Sequence, residues 1–386
     1  MTIAEVSSDR YSGGFKPYRH HEELSLGLSR SAFWLRFRLE RPKGKVPDDW
    51  FIEFGKPGLG EIDLYVPRPG GDWLVKKTGA ERPDSAKEAA QRTFVVEIPK
   101  GFDQDRYFYV RLRSVISLNL SISLWRPAEF TWPAVFDYYG FGLIYGIMAA
   151  MIIYNLAIFA YLADRTYLYY VFYITFLLIE LNMVYGHLPG YLRLPGGDMF
   201  MLIWPIIGLA WLTAAAFCRA FLNTRTMVPR LDKLLSVVMF LGLVLLALGL
   251  LRLNYLANVL NMLLTPFASV LAIVLCSVTW ARGFQPAKYL LAAWTILAAG
   301  LTLYILGGVV IPRTFVTRYT IAVAAPLESL ILSLALAARI KALREEKEAL
   351  SLRADRFRHL SQTDGLTNLF NQRFMMDRLA REVEAA

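Results

Sequence analysis

Cysteine and histidine are scarce in this chain of 386 residues. Its two cysteines, Cys218 and Cys276, both lie within hydrophobic stretches, and its four histidines are scattered. This usage excludes a disulfide framework and a cysteine-based zinc site. His20 and His21 precede two glutamates, but nothing near them supplies further metal ligands, so we expect an exposed loop there and no metal site.

Charged residues are also few, at 19%, whereas hydrophobic residues make up 55%. A soluble protein carries about 25% charge, so this composition excludes a soluble enzyme. Residues 1–130 hold 21 basic and 18 acidic side chains, residues 339–386 hold 10 and 8, and the 208 residues between them hold 11 and 6. The net charge of +10 is therefore spread along the chain, without the basic face that nucleic-acid binding requires. We expect a polytopic membrane protein with polar domains at both ends and no nucleic-acid partner.

Seven segments of the middle region are long and apolar enough to cross a bilayer, which takes about 20 residues per helix. They cover residues 136–162, 167–186, 199–221, 234–251, 254–280, 289–311 and 319–338. The loops on one side of the membrane contain seven Lys and Arg residues, and the loops on the other side contain four. The positive-inside rule predicts that the side with seven is the cytoplasm. Residues 1–130 are then outside and the C-terminus is cytoplasmic. Because no apolar run opens the chain, we expect that a leader has been removed.

The region before the first span, residues 24–130, shows the period-two alternation of β-strands. Short strands separated by Pro/Gly turns predict an all-β jelly-roll or sandwich domain, preceded by a flexible N-terminal segment at 1–23. The faces opposite the apolar residues could form a ligand surface, because aromatic rings stack on sugars and arginine binds carboxylates in a forked geometry. The candidate ligand-binding residues are Trp34, Tyr107, Tyr109, Arg111 and Arg113. The alternative is an ordinary solvent face with aromatic residues favoured by β-propensity.

Polar residues inside the predicted spans are further candidates. An isolated charge there costs about 3 kcal/mol, so Glu180 and Glu328 are interpreted as intramembrane signalling residues together with Asn155. The alternative is interhelical hydrogen bonding that only fixes the seven-helix bundle of residues 131–338. An ion-coupled transporter that uses the two glutamates is an alternative function. A retinal receptor is excluded because the seventh span contains no lysine.

The segment 339–360 continues the seventh span without Gly or Pro. Apolar residues recur in it at helical spacing, at Ile340, Leu343, Leu350, Ala354 and Phe357. This pattern predicts a cytoplasmic signalling helix that forms either a short coiled coil or a simple amphipathic continuation of the span.

The last segment, 361–386, opens with a specific motif. It resembles the start of GGDEF-type diguanylate cyclase domains, Asp-x-Leu-Thr-Gly-Leu-x-Asn-Arg-Arg. The matching residues are Asp364, Leu366, Thr367, Leu369, Asn371 and Arg373. Asn368 replaces the glycine of that motif, and Gln372 replaces its first arginine. We refer to Asp364–Arg373 as the opening motif.

The whole chain is similar to the bacterial seven-transmembrane receptors with diverse intracellular signalling modules. Besides the opening motif, the similarity lies in an outer domain with stretches such as 34–37 and 109–114, and in 154–156 and 167–170 of the first two spans. It implies a multi-pass receptor of the bacterial inner membrane whose periplasmic domain binds a ligand, with a carbohydrate-like molecule as one candidate. It also implies a homodimer, because two facing cyclase domains join two GTP molecules into cyclic di-GMP.

The resemblance assigns no catalytic residue to this chain. The Gly-Gly-Asp/Glu-Glu-Phe signature and the later carboxylates of a cyclase domain are missing before Ala386. We therefore expect the chain itself to be inactive and to need no cofactor; Mg²⁺ and GTP are implied only for a complete cyclase domain. A receptor that acts through partner proteins, without an enzyme of its own, remains an alternative.

Overall fold

The computed structural model describes residues 1–18, 24–27, 29, 31–39, 50–82, 91–114, 118–188, 199–307, 311, 314–363 and 369–385. His20 and His21 lie outside the described residues, and so do Asp364 to Asn368 of the opening motif. The chain divides into two units, Met1–Ser333 and Leu334–Ala386.

The first unit begins with a β-sandwich. Its strands are β1 Leu24–Ser25, β2 Phe33–Phe37, β3 Trp50–Phe54, β4 Glu61–Pro67, β5 Trp73–Thr78, β6 Phe94–Ile98, β7 Phe108–Arg113, β8 Asn119–Leu120 and β9 Ile122–Trp125. One antiparallel sheet has the order β2-β7-β4-β5, the other has the order β6-β3-β9, and β1 pairs with β8. The predicted alternation is confirmed, because Phe108, Val110 and Leu112 are fully buried in the same hydrophobic core as Ile52 and Phe54 of β3.

The N-terminal segment contains local helical structure. Residues 3–12 form two short helices, α1 Ile3–Val6 and α2 Asp9–Ser12, and Thr2 and Glu5 cap the first helix reciprocally. The ring of Phe15 lies 6.0 Å from that of Tyr109 on β7. This stretch therefore contacts the outward face of the four-stranded sheet, and the flexibility expected for 1–23 stays a prediction.

The helices that follow confirm the seven predicted spans. They are α3 Pro127–Leu162, α4 Arg165–Val184, α5 Met199–Leu222, α6 Thr224–Met227, α7 Pro229–Leu250, α8 Asn254–Ala281, α9 Ala287–Leu306 and α10 Phe315–Gln362. All except the short α6 contain a stretch that is long and apolar enough to cross a membrane. We number these seven stretches as spans one to seven; the seventh is Val316–Ala354 within α10.

Spans three and four, on α5 and α7, pack with their backbones in contact. A Cβ atom added to Gly208 would lie 2.6 Å from the carbonyl oxygen of Gly242, so Gly208 has no room for a side chain, and a Cβ atom added to Gly242 would lie 3.0 Å from the carbonyl oxygen of Gly208. Small residues of this kind let membrane helices approach closely where no hydrophobic force drives them together.

The second unit contains the end of α10 and a final helix, α11 Gln372–Ala385. Lys341 and Glu345 form an i,i+4 ion pair on α10, with 3.9 Å between Nζ and Oε1. Asn371 Oδ1 accepts the amide N–H of Phe374 at 2.9 Å, which caps α11. A helix therefore follows the end of the opening motif.

Candidate functional site

The outward face of the four-stranded sheet brings the predicted ligand residues together. The register places Trp34 of β2 opposite Arg111 of β7, and Arg111 opposite Asp63 of β4. Arg113 and Tyr109 lie on the same face of β7, two residues to either side of Arg111. Tyr107, the fifth candidate, directly precedes β7. The alternation thus predicted the grouping of these residues correctly, and their role in ligand binding stays a prediction.

On this face, Arg111 is already paired with two carboxylates. Arg111 Nη1 lies 3.1 Å from both Glu61 Oε2 and Asp63 Oδ2, and Asp63 also accepts from Arg82 at 2.7 Å. Burial acts to lower the pKa of Arg111, but the hydrogen bonds to Glu61 and Asp63 outweigh it and raise that pKa. Arg113 is more open, since its side chain is 55% exposed and lies 4.0 Å from Glu61. Of these two cations, Arg113 is therefore the better placed to meet an acidic ligand.

The aromatic candidates differ in their access to solvent. Tyr109 is 5% exposed, because the rings of Phe15 and Trp73 cover it, so the expectation that it lies on an open surface is wrong. Tyr107 is 39% exposed. Trp34 is partly exposed and lies 5.5 Å from Tyr65, centroid to centroid. Trp34 and Tyr107 are the rings that a ligand could reach.

A second polar cluster joins the sandwich to the membrane helices. Arg92, just before β6, forms an ion pair with Asp137 at the start of span one and donates to Tyr319 Oη of span seven at 3.2 Å. Tyr319 Oη in turn donates to Asp137 Oδ1 at 2.8 Å. The burial of Arg92 acts to lower its pKa, but the negative charge of Asp137 outweighs this effect and raises it. The triad of Arg92, Asp137 and Tyr319 is called the junction cluster below.

His187, in the turn after span two, lies beside the junction cluster. It is 4% exposed, its ring centroid is 4.6 Å from that of Phe141, and its Nδ1 is 3.0 Å from Tyr145 Oη. Burial lowers the pKa of His187 from 6.5 to about 4, and the positive charge of Arg92 adds to that effect. The imidazole is therefore neutral at physiological pH.

The neighbouring Gly186 is in close contact with the sandwich. Its φ is +79°, which favours glycine, and an added Cβ would lie 2.7 Å from the carbonyl oxygen of Arg92. The backbone after span two therefore touches the sandwich directly.

Two of the predicted intramembrane residues hold span seven to its neighbours. Glu328 is fully buried, and its Oε1 accepts from Tyr173 Oη of span two at 2.8 Å. Asn155 of span one donates from Nδ2 to Ser333 Oγ at 3.0 Å. The third predicted residue, Glu180, lies apart from both and lines a cavity between the helices.

Sequence reasoning missed the junction cluster entirely. Asp137 was detectable, since it is a carboxylate at the start of an otherwise apolar span. The partners Arg92 and Tyr319 lie 45 and 182 residues away along the chain, and no local pattern connects them. On the sheet, Glu61 and Asp63 could have been found, because period-two alternation places both on the face of Arg111.

Comparison with protein families identifies both halves of the first unit. A family model described as 7TM diverse intracellular signalling matches residues 137–339, which is more than half of the chain. A second, described as 7TMR-DISM extracellular 2, matches residues 1–126. Comparison with curated proteins and with solved structures gave no match. The β-sandwich is thus the extracellular domain of a transmembrane sensory receptor, and the chain belongs to the family of seven-transmembrane receptors with diverse intracellular signalling.

Proposed function

We propose that this receptor binds a ligand on its extracellular sandwich and passes the signal through span seven to a cytoplasmic diguanylate cyclase. Cyclic di-GMP made from two GTP molecules would be the output, and the active receptor would be a homodimer in the bacterial inner membrane. The N-terminal domain would be periplasmic and the C-terminus cytoplasmic, as an odd number of spans and the excess of basic residues in the inner loops favour.

The junction cluster is the observation that carries this proposal. Arg92 belongs to the sandwich, whereas its partners Asp137 and Tyr319 belong to spans one and seven. A second contact, 3.5 Å long, runs from Arg318 Nη2 to Ser121 Oγ of the sandwich. A displacement of the sandwich would therefore act directly on the outer end of span seven.

Span seven is also tied to span two deeper in the bundle. Tyr173 Oη donates to Glu328, and Tyr170 Oη donates to the carbonyl oxygen of Ser329 at 2.7 Å. Two arrangements of span seven would differ in these bonds, which gives the relay a physical element with discrete states.

The output part of the proposal rests on the sequence beyond span seven. The opening motif follows α10 directly, and it resembles the start of a cyclase domain. Leu343 and Leu350 of the predicted coiled-coil seam are 44% and 57% exposed in the single chain, which leaves them available to a second copy.

The test measures cyclic di-GMP in bacteria that express the complete reading frame, including any codons beyond the one for Ala386. Leu343→Pro should break α10 and abolish the change in cyclic di-GMP level between growth conditions. The matched Leu343→Ala should keep the helix and part of that change. Arg92→Leu should uncouple the response without removing basal output. The proposal fails if Leu343→Pro leaves the output unchanged, or if the reading frame carries no cyclase signature.

Ligand binding is tested separately on the purified chain in nanodiscs. Titration calorimetry with glucose and glucuronate compares a neutral sugar with its acidic counterpart. Binding that Trp34→Ala weakens and that Tyr109→Phe leaves unchanged would support a sugar site on the open part of the sheet. A sugar that binds equally well to Trp34→Ala, or uptake into proteoliposomes, would count against it.

A further inference from the structure

A cavity of about 170 Å³ lies inside the membrane bundle, and of its lining residues only Tyr173 takes part in the proposed relay. Residues from spans two to seven line this cavity, and most of them are apolar, as at Leu177, Ala214, Ala268 and Leu297. Three aromatic side chains, Tyr173, Trp211 and Trp294, also line it.

Most polar groups of the cavity are already bonded within the bundle. Trp211 Nε1 donates to Asn261 Oδ1 at 3.0 Å. The hydroxyls of Thr265 and Ser269 donate to carbonyl oxygens one turn earlier on α8, each at 2.8 Å. Tyr173 Oη is committed to Glu328. These bonds use the indole N–H of Trp211 and the hydroxyl hydrogens of Tyr173, Thr265 and Ser269.

Glu180 is different. Glu180 lines the cavity, and its carboxyl group makes no hydrogen bond or ion pair within the part of the chain that the structure describes. An acidic side chain at membrane depth is costly unless it meets a partner or a wet cavity. A cationic or hydrogen-bond-donating group in the cavity would supply that partner.

The volume limits the size of the occupant. An apolar protein cavity of about 150 Å³ binds benzene, so about 170 Å³ suits a molecule with one ring and a short polar arm. Aromatic walls stabilise an ammonium group through cation–π attraction, in addition to packing against a ring.

We propose that this cavity is a second ligand site, which binds a small primary amine bearing one hydrophobic ring. The ammonium group pairs with the Glu180 carboxyl group, and the ring packs among Tyr173, Trp211 and Trp294. This site is separate from the sugar site proposed on the sandwich, and it does not depend on the identity of the output domain.

The position of Glu180 on span two indicates the side from which a ligand arrives. Glu180 lies four residues before Val184, the last residue of α4, a distance of about 6 Å along the helix. Gly186, two residues further on, contacts the extracellular sandwich. The carboxyl group is therefore near the extracellular end of the bundle.

The test uses the full chain in nanodiscs with benzylamine, benzyl alcohol and toluene as probes, measured by calorimetry and tryptophan fluorescence. These three molecules share one ring and differ in charge and donor capacity. We expect benzylamine to bind at least about tenfold more tightly than benzyl alcohol, because a charge-assisted bond replaces a neutral one. Equal affinities of the amine and the alcohol in the wild type would overturn the proposal, whatever the variants do.

Two variants test separately the charge of Glu180 and the free volume of the cavity. Glu180→Gln should reduce the preference for the amine to about threefold or less, while binding of toluene persists. Ala268→Phe should fill the cavity and remove binding of all three probes. Glu129→Gln is the matched control, because Glu129 is exposed at the start of α3, and it should leave the preference unchanged. An amine preference that survives Glu180→Gln, or in its place Glu180→Ala if the first variant does not fold, would also overturn the assignment.

Discussion

Arg92 of the extracellular sandwich forms an ion pair with Asp137 at the start of span one, although 45 residues separate them along the chain. The two side chains are only 13% and 20% exposed. Tyr319 of span seven bonds to both of them. One small cluster therefore connects the sensor domain with the first and last membrane helices.

The first prediction concerns the strength of this connection. Arg92→Leu should lower the free energy of unfolding by about 1–3 kcal/mol, because Asp137 then loses its main charged partner in a mostly buried place. The measurement is the thermal melting of the purified chain, followed by tryptophan fluorescence.

The matched control is Arg126→Leu, which removes the Arg126–Glu129 pair close by on the chain. Its side chains are 43% and 60% exposed, so the loss should be below about 1 kcal/mol. If the two arginine variants melt alike, the junction cluster does not stabilise the receptor.

The second prediction concerns pH. The pKa of His187 is about 4 in the folded protein, whereas a solvent-exposed histidine, as in the unfolded chain, has a pKa of 6.5. Between pH 4 and pH 6.5 the unfolded chain therefore binds a proton that the folded chain does not. Stability should therefore fall as the pH drops from 6.5 towards 4, by at most about 1.4 kcal/mol per pH unit from this group. Melting temperatures at pH 7 and pH 5 measure the effect.

His187→Gln is the control for the pH prediction, since glutamine can keep a bond to Tyr145 and does not titrate. The difference in melting temperature between pH 7 and pH 5 should shrink in this variant. An unchanged difference would assign the pH dependence to other groups.

The third prediction separates two arginines on the same strand. Arg111→Met should destabilise the sandwich by about 1–3 kcal/mol, because Glu61 and Asp63 lose their shared donor. Arg113→Met, two residues further on, should cost less than about 1 kcal/mol, because that side chain is 55% exposed. Calorimetric unfolding of the full chain compares them, and equal losses would contradict the structure.

Local patterns predicted the sandwich and the spans because both depend on short-range periodicity. Alternate apolar residues from Phe33 to Phe37 and from Phe108 to Leu112 are enough to define two faces of a sheet. Seven apolar stretches are enough to define seven helices. Each of these elements is determined by the pattern of neighbouring residues, so contacts between distant segments did not change the prediction.

Contacts between distant segments were not predictable in this way. Tyr109 has the alternation of an outward residue, yet Phe15 covers it, and no pattern in the N-terminal segment indicates that contact. Glu328 was identified as a polar residue in an apolar span, but its partner Tyr173 lies 155 residues earlier. A single sequence reveals that such a group needs a partner and does not reveal which residue supplies it.

The last prediction concerns the bonds between spans two and seven. Tyr173→Phe removes the hydroxyl that donates to buried Glu328 and keeps the ring, so only the hydrogen bond is lost. Because interhelical bonds in membranes contribute about 0.6–2 kcal/mol, we expect a loss of stability in that range. Tyr169→Phe, on the same helix, is the control; Tyr169 makes no hydrogen bond within the described residues, so its melting temperature should not change. If Tyr173→Phe also melts like the wild type, Glu328 is satisfied without Tyr173, and this bond does not help to hold span seven against span two.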